Sequence, residues 1–258
     1  SPFFLFFVFV VLILSILPYY RTVYAMELFS LGNGLQYVFQ QRKDTGVVAL
    51  QIWVKAGSKY EDQKIAGITH FIEHLIFKGT EKVKANEMAS RIESLGGVVN
   101  AYTSYDNTVY HIIVPSRAFE EGFELLVDAV RNPAFPEEEI EKERKVVLEE
   151  IKMGEDDPQR KLFKELFSTS YREHPYGRPI IGYEDTVKSI NRDEILNYFK
   201  KYYVPDNMAI VIAGDFDPKT ADVLIKKHFY EKSIQSKTTG IDNINKNSFE
   251  TDEDGKDS

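Results

Sequence analysis

The chain has 258 residues, 43% of them hydrophobic, which is enough for one substantial core and excludes a large multidomain enzyme. The formal charge of -8 argues against nucleic-acid binding, which depends on clustered lysine and arginine. Because the sequence contains no cysteine, disulfides, thiolate metal ligands and a cysteine nucleophile are excluded. Any metal must therefore be held by histidines and carboxylates.

The first 25 residues predict a signal peptide or a membrane anchor. Residues 2–18 form an almost unbroken apolar run, whose length lies between that of a signal-peptide core and that of a membrane-spanning helix. Val23, Tyr24 and Ala25 favour export with cleavage after Ala25, and an uncleaved anchor is the alternative. In both cases we expect residues 26 onward to lie outside the cytoplasm, in the periplasm or facing the extracellular side.

Short predicted strands begin after this segment. Within residues 47–56, apolar side chains at positions 50, 52, 54 and 56 alternate with Gln51, Trp53 and Lys55, which predicts a half-buried strand. Residues 208–213 are apolar throughout, which predicts a central strand. The other predicted strands are 35–41, 98–103 and 108–114, the last two joined by a hairpin turn at residues 105–107.

Apolar residues at helical spacing predict helices between these strands, and Asn191 with Glu194 resembles a capping box. The predicted helices are 65–77, 88–95, 119–130, 136–153, 191–202 and 219–229. Residues 232–258 are polar and predict a linker or tail, which leaves 26–231 as the folded domain. Since helices and strands do not alternate strictly, we expect an α+β fold with one mixed or antiparallel sheet and helices packed on one face.

A metal-binding pattern lies inside the predicted helix 65–77. His70 and His74 are four residues apart, so both imidazoles project from one face and can share a cation. Glu73 projects close to the face of His70, where it can accept a proton from water at the metal. Histidine and carboxylate ligands without sulfur suit Zn2+, and this order is that of the inverzincin motif. The alternative interpretation is a solvated helix face.

A catalytic zinc needs a third protein ligand, and the predicted helix 136–153 offers Glu143, Glu149 and Glu150. Glu143 and Glu150 are two turns apart and share a face, whereas Glu149 points about 100° away. Helical spacing leaves open which of the two same-face carboxylates binds the metal and which supports it. The remaining histidines have no partner at a suitable spacing and are interpreted as structural; they are His111, His174 and His228.

Several further motifs occur in a fixed order along residues 27–230. They are GSKYE at 57–61, HFIEHLIFKGT at 70–80, NAYT at 100–103, ERKVVLEE at 143–150 and YVPDNMAIVIAGDFD at 203–217. Together they resemble the pitrilysin/insulinase family of zinc metallopeptidases, in particular its bacterial processing-type proteases and the mitochondrial processing peptidase beta subunit.

The resemblance implies a role for each candidate site residue. The third ligand of the family falls on Glu150, which follows His74 by 76 residues. Glu143 then matches an acidic residue that supports the metal site, and Glu73 matches the general base. Asn100, Ala101 and Tyr102 match an edge strand on which such enzymes bind extended substrate through main-chain hydrogen bonds.

The resemblance also implies a function and a partner. We expect the N-terminal catalytic half of a zinc-dependent endopeptidase that hydrolyses extended peptides or small proteins. A C-terminal homologous domain or a partner subunit would close over this half like a clamshell and contribute an arginine and a tyrosine. One alternative is a non-catalytic subunit or scaffold of the same family. The other is a membrane-anchored binding module, which leaves the histidine pair unexplained.

Overall fold

The computed structural model of the chain describes residues 26–85 and 87–230. The predicted signal peptide or anchor at 1–25 and the predicted linker or tail at 232–258 lie outside the described residues. Within the described part of the chain, no helix combines the length and the apolar character that crossing a membrane requires.

The described strands form one mixed sheet of six strands. They are β1 (Glu27–Ser30), β2 (Gln36–Gln41), β3 (Val47–Val54), β4 (Val98–Thr103), β5 (Thr108–Pro115) and β6 (Met208–Gly214). Their order across the sheet is β1-β2-β6-β3-β5-β4, with β2 and β6 parallel and every other pair of neighbours antiparallel. The prediction that residues 208–213 form a central strand is confirmed, and β4 lies at an edge.

Helices occupy segments between the described strands and after the last of them. They are α1 (Ile68–Ile76), α2 (Glu87–Ser94), α3 (Phe119–Arg131), α4 (Glu137–Asp156), α5 (Pro158–Ser170), α6 (Glu184–Ser189), α7 (Arg192–Tyr202) and α8 (Pro218–Phe229). The predicted capping box at the start of α7 is present, since the side chains of Asn191 and Glu194 each accept a hydrogen bond from the other's backbone N–H.

The core lies between the helices and one face of the sheet. Val48, Leu50, Ile52 and Val54 of β3 are fully buried, whereas the three residues between them are all partly exposed. Helix α3 packs against β5, and α1 and α2 pack against β4. The predicted α+β architecture with helices on one face is therefore confirmed, and it places α1 beside the edge strand.

Helix α1 begins three residues later than the sequence pattern predicted. Residues Gln63–Ile65 form a separate 3-10 turn, and Gly67 then adopts a left-handed conformation with φ of +96°. A Cβ atom at Gly67 would come within 2.5 Å of the Ile181 carbonyl oxygen, so glycine allows both the turn and the close approach. The apolar periodicity continued across this turn, which is why the predicted helix started too early.

Helix α5 was missing from the sequence prediction, as were α6 and β1. The side chain of Asp157 accepts hydrogen bonds from the backbone N–H groups of Gln159 and Arg160, and Pro158 occupies the first helical position. This Asp-Pro start and the apolar pairs 162–163 and 166–167 were available as signals. Helix α5 therefore carries an apolar stripe at helical spacing, but it buries no residue fully, and Leu162, Phe163 and Leu166 are exposed.

Candidate metal centre

Two antiparallel helices bring the predicted ligands together. His70 Nε2 on α1 lies 3.8 Å from Glu150 Oε2 on α4, and His74 Nε2 lies 3.7 Å from the same oxygen. One turn farther along α1, His74 Nδ1 faces Glu143, which lies two turns earlier on α4. Ligand atoms of His70, His74 and Glu150 all lie within 4.8 Å of one another, and among the described residues this is the one such group.

The donor atoms fit a zinc ion. Zinc held by nitrogen and oxygen ligands at about 2.1 Å in tetrahedral geometry requires ligand atoms about 3.4 Å apart, and the two contacts of Glu150 are only slightly longer than this. Burial, and secondarily the charge of His74, lower the pKa of His70 to about 3, which keeps the imidazole in the neutral form that binds metals. The bond from His74 Nδ1 to Glu143 leaves Nε2 free to face the cluster.

Glu73 lies beside the cluster and is held by the edge strand. Thr103 Oγ1 at the end of β4 donates a hydrogen bond of 2.5 Å to Glu73 Oε2. Burial raises the pKa of Glu73, while the hydrogen bond from Thr103 and the charge of His74 act in the opposite direction. A carboxylate with a raised pKa is a stronger base than an exposed one, which suits proton abstraction near neutral pH.

The other two candidate ligands on α4, Glu143 and Glu149, have different surroundings. Glu143 is buried, and its two oxygens contact His74 Nδ1 at 3.1 Å and Lys78 Nζ at 2.8 Å. Glu149 points away from the cluster and pairs with Lys152 Nζ at 2.6 Å on the exposed side of the helix. Of the two same-face carboxylates, Glu150 faces both imidazoles and Glu143 lies behind one of them.

The backbone N–H groups at the start of α1 are hydrogen-bonded by a carboxylate from outside the helix, that of Glu61. Glu61 is buried, and its oxygens accept hydrogen bonds from the backbone N–H groups of Gly67 at 2.8 Å and Thr69 at 2.9 Å. Burial raises the pKa of Glu61 to about 7, against the lowering effect of these bonds and of the charge of Arg178. Glu61 thereby occupies donors that α1 leaves without helical partners, directly before His70.

A cavity of about 630 Å³ opens beside the cluster. Its polar wall includes His70, Glu150 and Thr103. The rest of its lining is largely apolar and includes Tyr105, Ile151, Phe163, Phe167 and Ile181. Helix α5 supplies part of this wall, so the helix that the sequence pattern failed to predict shapes the space next to the candidate ligands.

With this geometry established, comparison with known proteins identifies the family. Residues 37–184 match the model of Insulinase (Peptidase family M16), and residues 189–253 match that of the Peptidase M16 inactive domain. The first match alone covers more than half of the chain. The chain belongs to the insulinase (M16) peptidase family.

Several M16 relatives resemble the chain over most of its length. An uncharacterized zinc protease of Bacillus subtilis, YmxG, is 37% identical over 211 residues, 81% of this chain and 51% of the relative. The mouse mitochondrial-processing peptidase subunit beta is 36% identical over 199 residues, 77% of this chain and 40% of that subunit. The crystal structure of a protease from Helicobacter pylori aligns with a TM-score of 0.79 and 32% identity over 85% of this chain and 53% of that one. The chain therefore spans about half the length of these M16 relatives.

The predicted substrate-binding residues lie on the edge strand β4 of this M16 chain. Asn100 and Tyr102 are exposed, and Ala101 is half-buried. The Tyr102 ring contacts Trp53 and His111 on the less covered face of the sheet. Asn100 Oδ1 accepts a hydrogen bond of 2.9 Å from the Ala101 N–H, so an edge donor is occupied by a local side chain.

The remaining histidines lie away from the candidate ligands. His111 is on β5, His174 Nδ1 accepts a hydrogen bond from the Tyr176 N–H at 3.2 Å, and His228 lies 3.2 Å from Glu124. None of them belongs to the metal-binding group found among the described residues.

Sequence reasoning missed three residues that support the site, namely Glu61, Lys78 and Thr103. Each one falls inside a motif that carried the resemblance: GSKYE, HFIEHLIFKGT and NAYT. Their membership in those motifs was the available signal, but the atoms that they contact could be recognised only in the folded chain.

Proposed function

We propose that this chain is the metal-binding half of a zinc-dependent endopeptidase that hydrolyses extended peptides or small proteins. The observation that carries the proposal is the convergence of His70, His74 and Glu150 beside Glu73. A bare helix face with two histidines would not bring a carboxylate from a second helix within 3.8 Å of both imidazoles.

His70, His74 and Glu150 would hold the ion, and Glu143 would orient His74 through Nδ1. A zinc ion in such a site acts as a Lewis acid and lowers the pKa of water to about 7. Three protein ligands leave a fourth position open, as a catalytic rather than a structural zinc site requires.

Glu73 would move the protons of the reaction. As the oxygen of water forms a bond to the peptide carbonyl carbon, Glu73 accepts a proton from that water. When the carbon–nitrogen bond breaks, Glu73 returns the proton to the leaving amine. Burial and the hydrogen bond from Thr103 keep its carboxylate in place for both transfers.

Substrate would bind in extended form along β4, with the backbone of Asn100, Ala101 and Tyr102 pairing with it. Main-chain pairing at an open edge holds a peptide irrespective of its sequence. Asn100 would have to release the Ala101 N–H as the substrate strand pairs. The cavity lined by Phe163, Phe167 and Ile181 could then receive an apolar side chain of the substrate near the cluster.

The first test measures zinc content and hydrolysis in the same set of variants. After dialysis, atomic emission should find close to one zinc per parent chain and a large loss in His74→Ala and Glu150→Ala. Glu149→Ala serves as the matched control, because that side chain pairs with Lys152 on the exposed side of the same helix. Glu73→Gln should keep its zinc and lose hydrolysis on the order of 100- to 10,000-fold in the complete protein, since glutamine cannot accept a proton.

Each outcome that contradicts the expectation would overturn a different part of the proposal. Full zinc retention by Glu150→Ala would remove Glu150 from the ligand set. Equal peptidase rates for Glu73→Gln and the parent would remove Glu73 as the base. A zinc-loaded complete protein without hydrolysis would favour the alternative of a non-catalytic subunit or scaffold.

A further inference from the structure

One carboxylate of α4 connects an imidazole to an ammonium group. Lys78 lies just beyond the end of α1, four residues after His74, and its Nζ lies 2.8 Å from Glu143 Oε1. The other oxygen of the same carboxylate, Oε2, lies 3.1 Å from His74 Nδ1. These two contacts place the Glu143 carboxylate between His74 and Lys78.

Because Glu143 is buried, its contacts with His74 and Lys78 are both needed to stabilise its carboxylate. Its side chain is 10% exposed and that of Lys78 is 22% exposed. A carboxylate buried to this extent needs a compensating charge as well as hydrogen bonds to its oxygens. The Lys78 ammonium carries a positive charge 2.8 Å from Glu143 Oε1 and supplies this compensation.

We propose that Lys78 is a positioning residue for the metal ligand His74. By holding Glu143 Oε1, Lys78 fixes the plane of the carboxylate, so that Oε2 accepts the Nδ1–H of His74. The imidazole is then held with Nε2 directed at His70 and Glu150 before an ion arrives. This inference rests on the proposed function, because it assigns Lys78 a task only if the cluster binds zinc.

Two other effects of Lys78 act on the same region and must be separated from this one. A cation at the C-terminal end of a helix stabilises that helix through its dipole, whether or not Glu143 is present. A positive charge near the site also repels a dication, which would weaken zinc binding, although salt and the intervening carboxylate screen this repulsion. Only the positioning role requires that Lys78 act through Glu143.

The experiment titrates the metal-free full chain with zinc against a chromogenic chelator. Lys78→Met should weaken zinc binding about 10-fold, the lower limit of what losing a supporting partner of a metal ligand costs. Lys78→Arg should recover most of that affinity, because it restores a charged donor. Lys152→Met is the matched control, since it removes a lysine paired with a glutamate of α4 away from the cluster.

A double-mutant cycle decides between the explanations. In the Glu143→Gln background, Lys78→Met should cause no further loss of affinity, whereas a helix-dipole effect would persist there. Lys78→Gln provides a second neutral variant, and melting temperatures show which variants are folded. Equal affinity of parent and Lys78→Met, tighter binding by Lys78→Met, or additive losses in the cycle would each overturn the inference. A folded parent chain that binds no zinc would instead overturn the proposed function itself.

Discussion

Thr103 donates its proton to the candidate base because the Glu73 carboxylate is nearer and is a stronger acceptor than the neighbouring hydroxyl. Its neighbour Thr108 is buried, and Thr108 Oγ1 donates to the Ala56 carbonyl oxygen at 2.9 Å. The two threonine oxygens lie 3.3 Å apart, but each hydroxyl has only one proton. The hydroxyl of Thr103 is directed at Glu73 because its contact with that carboxylate is 2.5 Å, against 3.3 Å to the Thr108 oxygen.

Replacing Thr103 by valine should therefore misplace the base without removing the metal. We expect kcat of the complete protein to fall about 10-fold or more, since a hydrogen bond to a charged group contributes roughly 1.5–3 kcal/mol. KM and zinc content should change little, and Thr103→Ser should retain most of the rate because it keeps the hydroxyl. The check is steady-state hydrolysis of an unstructured peptide by the three proteins. A valine variant as fast as the parent would show that Glu73 needs no such restraint.

The sequence predicted the residues of the metal-binding cluster better than the residues that hold them in place. The spacing of His70 and His74 predicted their common face, and the resemblance selected Glu150, which the structure brings within 3.8 Å of both. Lys78 and Thr103 were missed because each acts on a residue of another element. Such contacts depend on how α1 lies against α4 and β4, which no local pattern encodes.

At the scale of the element, α1 depends on a carboxylate from outside the helix. Gly67 at its N-cap has no side chain to accept the first N–H groups, and Glu61 takes that place. Burial makes this arrangement costly when Glu61 is ionised, as the pKa of about 7 indicates. The cap that orders the metal-binding helix is therefore also a source of pH-dependent stability.

The free energy of unfolding should fall between about pH 4.5 and pH 7 because of Glu61. In this window the folded chain retains a proton that the unfolded chain has released, so rising pH favours unfolding by up to about 3 kcal/mol. Glu61→Gln has no proton to release, so its stability should decline less over the same range. Denaturant unfolding of the metal-free proteins at pH 5 and pH 8 measures the difference. Parallel pH dependence of parent and variant would contradict the assignment to Glu61.

The strands with a continuous apolar pattern were predicted from the sequence, whereas helix α5 was not. The central strand β6 was recognised because every residue of 208–213 is apolar. Helix α5 was missed although its Asp-Pro start and its apolar pairs 162–163 and 166–167 were present, and it lines the cavity beside the cluster. The pairing order of the sheet, with β6 between β2 and β3, depends on contacts distant in sequence.

At the scale of the whole molecule, the described part of the chain leaves the candidate site open. The Glu150 side chain is 37% exposed, and the edge of β4 next to α1 is the end of the sheet. In such a site water dilutes electrostatic stabilisation of the developing oxyanion, and a bound peptide is held from one side only. Because the chain spans 51% of the Bacillus subtilis relative and 53% of the Helicobacter pylori protein, those proteins have room for a second half.

We therefore expect the chain alone to bind zinc but to cleave unstructured peptides at least about 100-fold more slowly than the protein completed by its second half or partner subunit. Closure would exclude water and hold the substrate strand in register with β4, which a single open domain does not do. The competing arrangement is a pair of identical chains that close over each other's sites. A dilution series with a fluorogenic peptide distinguishes these cases, because self-pairing makes the rate per chain rise with concentration. A rate per chain that is high at every dilution would show that this half is sufficient for hydrolysis. The prediction that it needs a partner would then be wrong.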